Sequence, residues 1–325
     1  MKDLDSIPDE LESELRALEP DRLRYLRASW FYLGVLVGPL AGGILGAVLV
    51  DEDIKIYFLI GSAVWFAIGL ILYSIKAGSL ADDYRRSYKI AVIPRLLALV
   101  DPSLRFDPAS GISSGTFVAS ELYSNPPDRY TTEDLIEGTH GKTILRLAEV
   151  HAEDRQTTTD SKGRTQTRYV TIFKGLLLIA DFNKHFQGRT FVFPDFAENL
   201  FGNFGRAFQK LGGRSETGLI RLEDPEFENA FAVYSTDEIE ARYLLSTAMM
   251  QRLLKLRERF GTEVRIAFKE SSIALAVPHR SGFLEPGLRT PASDDSQVRG
   301  IYEELRLFLE IIDELDLNTR IWTKD

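Results

Sequence analysis

Two uncharged runs dominate the hydropathy pattern of the chain. Trp30 to Val50 has no charge over twenty-one residues, and Ile56 to Ile75 has none over twenty. At about 1.5 Å of helix rise per residue, each run is long enough to cross a hydrocarbon core of about 30 Å. The first run follows twenty-nine residues rich in charge and exceeds the apolar core of a cleaved leader, so it is expected to be retained. Only Asp51-Glu52-Asp53-Ile54-Lys55 separates the two runs, which predicts an antiparallel helical hairpin spanning residues 30–75. Arg22, Arg24 and Arg27 precede the first run, and Lys76, Arg85, Arg86 and Lys89 follow the second, whereas the turn offers only Lys55. That bias predicts a multi-pass protein of the cell (inner) membrane with both termini cytoplasmic. Trp30, Phe31, Tyr32, Tyr57 and Tyr73 fall where an interfacial aromatic belt belongs.

Within the first run Gly34, Gly38, Gly42 and Gly46 recur every four residues and line one helix face without side chains. Such a face either receives the second helix or packs against another copy in an oligomer or small channel. Neither run contains an ionisable residue, which removes the usual mark of an ion or proton path. Before the hairpin, residues 1–29 form a cytoplasmic amphipathic segment. Leu11, Leu15 and Leu18 mark a short helix from Ser6 to Glu19, with Pro8 in its first turn and Pro20 beyond its end. Its acidity (Asp9, Glu10, Glu12, Glu14) favours docking on protein over docking on anionic lipid.

The pattern then changes. Residues 76–110 read as a connecting helix, Tyr84 to Val100, and a linker punctuated by Asp101-Pro102 and Asp107-Pro108. Residues 111–325 read as one mixed α+β domain with largely antiparallel strands. Strand signals cover Thr116–Tyr123, Lys142–Arg155, Arg168–Phe182, Thr190–Phe193, Leu219–Leu222 and Phe231–Tyr234. The polar stretch Thr157 to Thr167 reads as the mobile tip of a long hairpin. Phe201, Phe204, Phe208 and Leu211 predict an amphipathic helix whose other side carries Arg206 and Lys210. With Lys184 and Arg189 this side is either a membrane-facing patch or the outside of a core helix. A second helix is expected from a Ser235/Glu238 capping box to Gly261, burying Leu245, Met249, Leu253, Leu256 and Phe260. A hairpin, Val264–Phe268 with Ile273–Val277, is expected to pack on it, after which Pro278 to Ser293 is loop. The last seam, Val298, Ile301, Leu305, Phe308, Ile312 and Leu315, calls for packing across the domain or for a coiled-coil partner.

Composition narrows the chemistry. The chain has net charge −9, no cysteine and four histidines, none at HxxH or HxxxH spacing. Disulfides, thiolate chemistry and zinc sites built on sulfur are therefore excluded, and no nucleic-acid partner, metal or cofactor is expected. Gly111-Ile112-Ser113-Ser114-Gly115 matches the GxSxG nucleophile elbow. That elbow needs a following helix, and a strand is expected there instead. Gly138-Thr139-His140-Gly141-Lys142-Thr143 ends like a phosphate-binding loop but lacks its spacing, and reads as a turn beside a strand. Glu223, Asp224, Glu226 and Glu228 lack calcium-loop spacing and read as a solvated turn.

Three phrases carry a resemblance: Thr132-Glu133-Asp134-Leu135-Ile136-Glu137-Gly138; Phe173-Lys174-Gly175-Leu176 through Asp181-Phe182-Asn183-Lys184; and Leu222-Glu223-Asp224-Pro225-Glu226-Phe227 with Val233-Tyr234-Ser235-Thr236-Asp237 and Glu240-Ala241-Arg242-Tyr243. From Thr132 to Val277 the chain resembles the bacterial membrane-protein family called domain of unknown function 3137. The resemblance implies a two-helix anchor and an α+β domain, and brings no activity, substrate or catalytic residue with it. The expectation is a membrane-anchored cytoplasmic binding or scaffold domain. The alternatives are a homo-oligomer or channel through the glycine stripe, and an enzyme with an unrecognised site. The partners expected are the lipid bilayer, another membrane or cytoplasmic protein, and a second copy of the chain. Candidate recognition residues are Asp134, Phe173, Gly175, Asp181, Phe182, Asp224, Phe227, Tyr234, Asp237, Arg242 and Tyr243, each of which also has a purely structural reading.

Overall fold

The structure, a computed structural model, describes residues 11–159, 163–181, 187–194, 218–279 and 282–315. The expected Phe201–Leu211 helix, Phe182, Lys184 and His185 lie outside the described residues. The chain forms two compact units, one of residues 1–96 with 284–304 and the other of 97–283 with 305–325.

The first unit is built on two long helices, α1 (Glu12–Leu49) and α2 (Glu52–Val100). Both are longer than their apolar runs. The N-terminal segment and the first run form one helix, with Pro20 inside it, so proline does not end a short helix there. The Tyr84–Val100 segment likewise continues the second run instead of starting a new helix. A proline removes one backbone bond, and the buried Leu11, Leu15 and Leu18 hold the turns around Pro20 in place. The helices run antiparallel. Ser29 Oγ lies 3.3 Å from Tyr73 Oη, and Trp65 Nε1 donates to the Val35 carbonyl at 3.0 Å.

The face that meets α2 is not the predicted glycine stripe. A Cβ at Gly43 would sit 2.3 Å from Ser62 Cβ, and one at Gly46 would sit 2.7 Å from the Phe58 ring, whereas Gly34, Gly38 and Gly42 have open space before them. Of the four stripe residues only Gly46 serves the intrachain contact. The step from Gly42 to Gly43 rotates the contact by one helix position, about 100°.

Below the apolar runs the same unit buries charge. Lys89, with its side chain 5% exposed, places Nζ 2.7 Å from Glu285 Oε1, and Arg85 Nε lies 2.8 Å from Glu285 Oε2. Arg22 is buried against Glu19, and its Nη1 donates to the Arg289 carbonyl at 3.2 Å, while Glu19 accepts from the Ala292 N–H at 3.0 Å. Tyr84 and Tyr88 are fully buried beside Gln297, and burial raises the Tyr84 phenol to about 12. The segment Leu284–Glu304 is thus tied to both helices through polar contacts, of which Lys89 and Arg22 are withdrawn from water.

The second unit contains a nine-stranded, wholly antiparallel sheet of order β1-β2-β3-β4-β9-β8-β5-β7-β6. Its strands are β1 (Leu104–Asp107), β2 (Arg129–His140), β3 (Thr143–Thr159), β4 (Thr165–Asp181), β5 (Arg189–Pro194), β6 (Gly218–Ile220), β7 (Phe231–Ser235), β8 (Arg265–Lys269) and β9 (Ser272–Pro278). The long central strands carry consecutive buried residues, Leu176-Leu177-Leu178 in β4 for example, so both sheet faces are covered there. The segment before β2 plugs one face. Its Ile112, Phe117 and Leu122 join Val150, Phe173, Leu177, Phe191 and Phe193 in one core.

That plug corrects an expected strand. Thr116–Tyr123 does not extend; Ser114–Ala119 is a helix, α3, because Ser113 caps it and Oγ accepts from the Thr116 N–H at 3.1 Å. The GxSxG serine is therefore followed by a helix after all, but its hydroxyl is engaged as a cap. The acidic cluster is also helical. Asp224 caps α4 (Pro225–Ala230), and Glu228 accepts from the Leu222 N–H at 2.8 Å. The long helix expected from Ser235 splits into α5 (Glu238–Leu244) and α6 (Thr247–Phe260). Asp237 caps the first, with Glu240 at its third position, and Ser246 caps the second, so Ser235 is not the cap. Helix α7 (Asp295–Glu314) buries its whole predicted seam, Val298 to Leu315, within the chain.

A buried ion pair that loses one partner leaves the other charge stranded, at a cost of about 3–5 kcal/mol. Glu285→Ala should therefore lower the unfolding midpoint of the detergent-solubilised protein sharply. Glu285→Leu combined with Lys89→Met should recover most of that loss.

Candidate functional site

Among its described residues the second unit presents two open grooves and one half-buried polar junction. The larger groove, about 800 Å³, crosses β1 to β4 and the start of β9, and is lined by Ser103, Arg105, Glu137, Thr139, Ile144, Arg146, Ile179, Asp181 and Ser272. Strand register puts Arg105 opposite Glu137, Glu137 opposite Arg146 and Arg146 opposite Ile179, so these side chains form one row on one face. Ile144 is 63% exposed on the same floor. Two cations, two carboxylates and an apolar floor suit an amphipathic, electrically mixed partner.

At its rim stands His140. Its Nδ1 is 2.6 Å from Asp101 Oδ2 and its Nε2 is 3.4 Å from Asp313 Oδ1. The Ser103 hydroxyl donates within the same junction, lying 2.5 Å from both Asp101 Oδ1 and the Thr139 carbonyl. Both ring nitrogens face carboxylates, so the ring bridges Asp101, β2 and α7. Burial opposes ionisation of Asp101, but Ser103 and the His140 ring outweigh it and hold the carboxyl below its usual range.

The smaller groove, about 550 Å³, lies between α4, α5 and α6, lined by Leu222, Glu223, Asp224, Pro225, Arg242, Leu245, Ser246, Thr247 and Met250. It brings together Asp224 and Arg242, two of the candidate residues. Asp224 accepts from the Glu226 and Phe227 N–H groups, and Arg242 is held by Glu238 at 2.9 Å. Tyr243 is exposed nearby in sequence on α5, as is Ile239.

The other candidates are placed apart. Phe173 and Phe227 are buried among apolar side chains, Tyr234 is half-buried beside Phe193, and Asp237 is the α5 cap. Asp181 ends β4 in the larger groove. Asp134 is fully buried at the irregularity of β2 between Glu133 and Ile136, with φ +59°. A non-glycine residue held in that region costs of order 1–3 kcal/mol, so the surrounding packing fixes it. Gly175, at φ +157°, lies against β9, where a Cβ would be 2.2 Å from the Val277 carbonyl oxygen. Only a glycine admits that approach.

One polar cluster escaped sequence reasoning. Glu121, at φ +56°, receives Arg189 at 3.0 Å and Lys269 at 2.8 Å, tying the loop after α3 to β5 and β8. Arg265 stacks 4.4 Å over the Tyr123 ring and donates to the Leu122 carbonyl. These partners are more than sixty residues apart in the chain, and no local pattern announces them.

Because the folded-state pKa of Asp101 is depressed, its stabilisation is complete above the unfolded value of about 3.9 and is lost as pH falls through the folded value. Asp101→Asn should therefore destabilise by about 1–3 kcal/mol near neutrality. The gap between variant and parent should narrow in denaturation curves as pH falls below the ordinary carboxylate range.

Among known proteins, no curated protein matches the chain. Its structure is similar in part to the crystal structure of the mycobacterial trehalose monomycolate transport factor A, TtfA. The two share 10% sequence identity and a TM-score of 0.32, over 69% of this chain and 96% of that one. Residues 171–317 match the family described as Protein of unknown function (DUF3137), and the chain resembles that family over β4 to α7.

Proposed function

We propose that the chain is a membrane-anchored binding or scaffold protein. Residues 30–50 and 56–75 cross the inner membrane as a hairpin, and the sheet-bearing unit, with both termini, stands in the cytoplasm. One observation carries the reading: the apolar runs stay on the outside of the fold. Trp30 is 72% exposed, Val48 72%, Leu49 76% and Tyr57 71%, and only 6% and 11% of the two most apolar windows are buried. Exposed apolar surface on that scale is favourable only against hydrocarbon or another apolar partner. The excess of Arg and Lys outside the hairpin supports the orientation. The grooves of the second unit, shallow and of mixed charge, suit recognition of a partner surface.

The chain has no cysteine, so single reporters are clean. Asp53→Cys should react with a membrane-impermeant maleimide added to intact spheroplasts, and Glu270→Cys, at a site 81% exposed, should react only after lysis. Labelling of the second position from outside would overturn the orientation.

A second reading follows from the open face of α1. Gly34, Gly38 and Gly42 meet nothing within 4 Å in the single chain, which suits close packing of a second copy. Crosslinking in native membranes should trap a homo-oligomer that Gly38→Leu abolishes, and a strictly monomeric parent would end this reading.

A further inference from the structure

The β3–β4 hairpin runs well past the sheet. The last β3 residue paired with β2 is Glu153, and the first β4 residue paired with β9 is Gly175. At its root the Arg155 N–H donates to Asp128 Oδ2 at 2.8 Å and the Arg129 guanidinium lies 3.7 Å over the Tyr169 ring; from Gln156 and Arg168 outward each strand is paired with no other strand among the described residues, and the two stay in register to Thr159 opposite Thr165. The stretch expected to be a mobile tip is therefore largely strand. At about 3.3 Å per residue the ribbon reaches roughly 20 Å beyond the sheet.

The ribbon's composition departs from the rest of the chain. No apolar residue occurs from Gln156 to Arg168, and the described positions from Arg155 to Tyr169 are all exposed. Arg155, Lys162, Arg164 and Arg168 outnumber Asp154 and Asp160, giving the arm net +2; with the whole chain at −9, the remainder is −11. Pairing puts Arg155 on one ribbon face, opposite Tyr169, and Arg168 on the other, opposite Gln156. The cross-strand contacts are polar: Thr157 with Thr167 at 3.4 Å, Thr159 with Thr165 at 3.3 Å, and Arg168 with Gln156 at 3.2 Å. A lone two-stranded ribbon is marginal in water, and beyond Arg155, whose N–H donates to Asp128, neither of its backbone edges is paired with another strand among the described residues. Without an apolar wedge it is poorly made to enter a bilayer.

We propose that this basic arm docks into the α4–α5–α6 groove of a second copy of the chain. Glu223, Asp224 and Arg242 line that groove, Arg242 is paired with Glu238 at 2.9 Å, and Glu226 lies next to them on α4, so the groove is net acidic and complements the arm. Glu223 and Glu226 form no ion pair among the described residues and are exposed. Leu222, Leu245 and Met250 offer apolar wall to arginine stems, and Ser246 and Thr247 offer hydroxyls. The arm cannot serve its own groove. β4 and β6 stand five places apart in the sheet, roughly 24 Å at about 4.8 Å per strand, and the ribbon projects along the strands instead of across them. Reciprocal exchange, each arm in the other copy's groove, closes a twofold dimer.

The test is a charge swap on the full chain in detergent, read by light scattering after size exclusion over a concentration series. Arg155→Glu with Arg168→Glu should raise the dimer dissociation constant at least tenfold, as should Glu223→Lys with Glu226→Lys. Both pairs of sites are exposed, so circular dichroism should be unchanged. An equimolar mixture of the two variants should restore association to within about threefold of the parent. The proposal is overturned if the parent is monomeric throughout the series, or if the mixture fails to reassociate. It is also overturned if the arm variant keeps its mass while losing binding to vesicles containing phosphatidylglycerol.

Discussion

A lysine side chain that is 5% exposed survives only with its ammonium beside a carboxylate, and the first unit is organised around that constraint. Lys89 on α2 and Glu285 form the pair, and Arg85 completes the neutralisation on the carboxylate's other oxygen. The same segment presents the Arg289 carbonyl to Arg22 and the Ala292 N–H to Glu19, so α1 is held through equally specific polar contacts. Apolar contacts tolerate sliding, whereas these do not. A shift of α1 or α2 by one residue would strand a buried charge, so the polar layer fixes register where leucine packing alone would leave it loose.

The sheet obeys a different constraint. Nine antiparallel strands with two covered faces need a lid on each, and on one face the lid is the short passage from Ile112 to Leu122. So small a lid must be fastened. Glu121 does this by accepting two cations from strands β5 and β8, and the Tyr130 hydroxyl does it from β2 by donating to the Ile112 carbonyl at 2.7 Å. The positive φ of Glu121 follows from the need to turn the carboxylate back over the sheet.

These attachments explain what the sequence could and could not convey. Hairpins with alternating or continuous apolar runs, β3 with β4 and β8 with β9, were legible because neighbours in sequence are neighbours in space. The two apolar helices were legible for the same reason, but their ends were not, since Pro20 and the Arg85–Lys89 stretch are overridden by tertiary contacts. Thr116 to Tyr123 misled because threonine, phenylalanine and valine favour strands, while one serine cap and the core position of Phe117 decide for helix. β1 and β2 went unread because polar residues fill their outer faces at the groove, with Arg105, Glu137 and Thr139 among them. Of the candidate residues, Asp224 and Arg242 stand well apart in the chain, on the cap of α4 and on α5, and the packing of α4 against α6, the helix that directly follows α5, goes with their meeting at one groove.

Exposed surface is the remaining clue to function, and here it is of two opposite kinds. The hairpin exposes isoleucine, leucine and tryptophan over some forty residues, and the β3–β4 ribbon exposes threonine, glutamine and arginine with no apolar side chain among them. Hydrocarbon satisfies the first and penalises the second, because each unpaired backbone group in lipid costs several kcal/mol, of order 2–7. Polar protein surface satisfies the second and gains little from the first. Two such surfaces on one chain call for two different environments, one apolar and one polar.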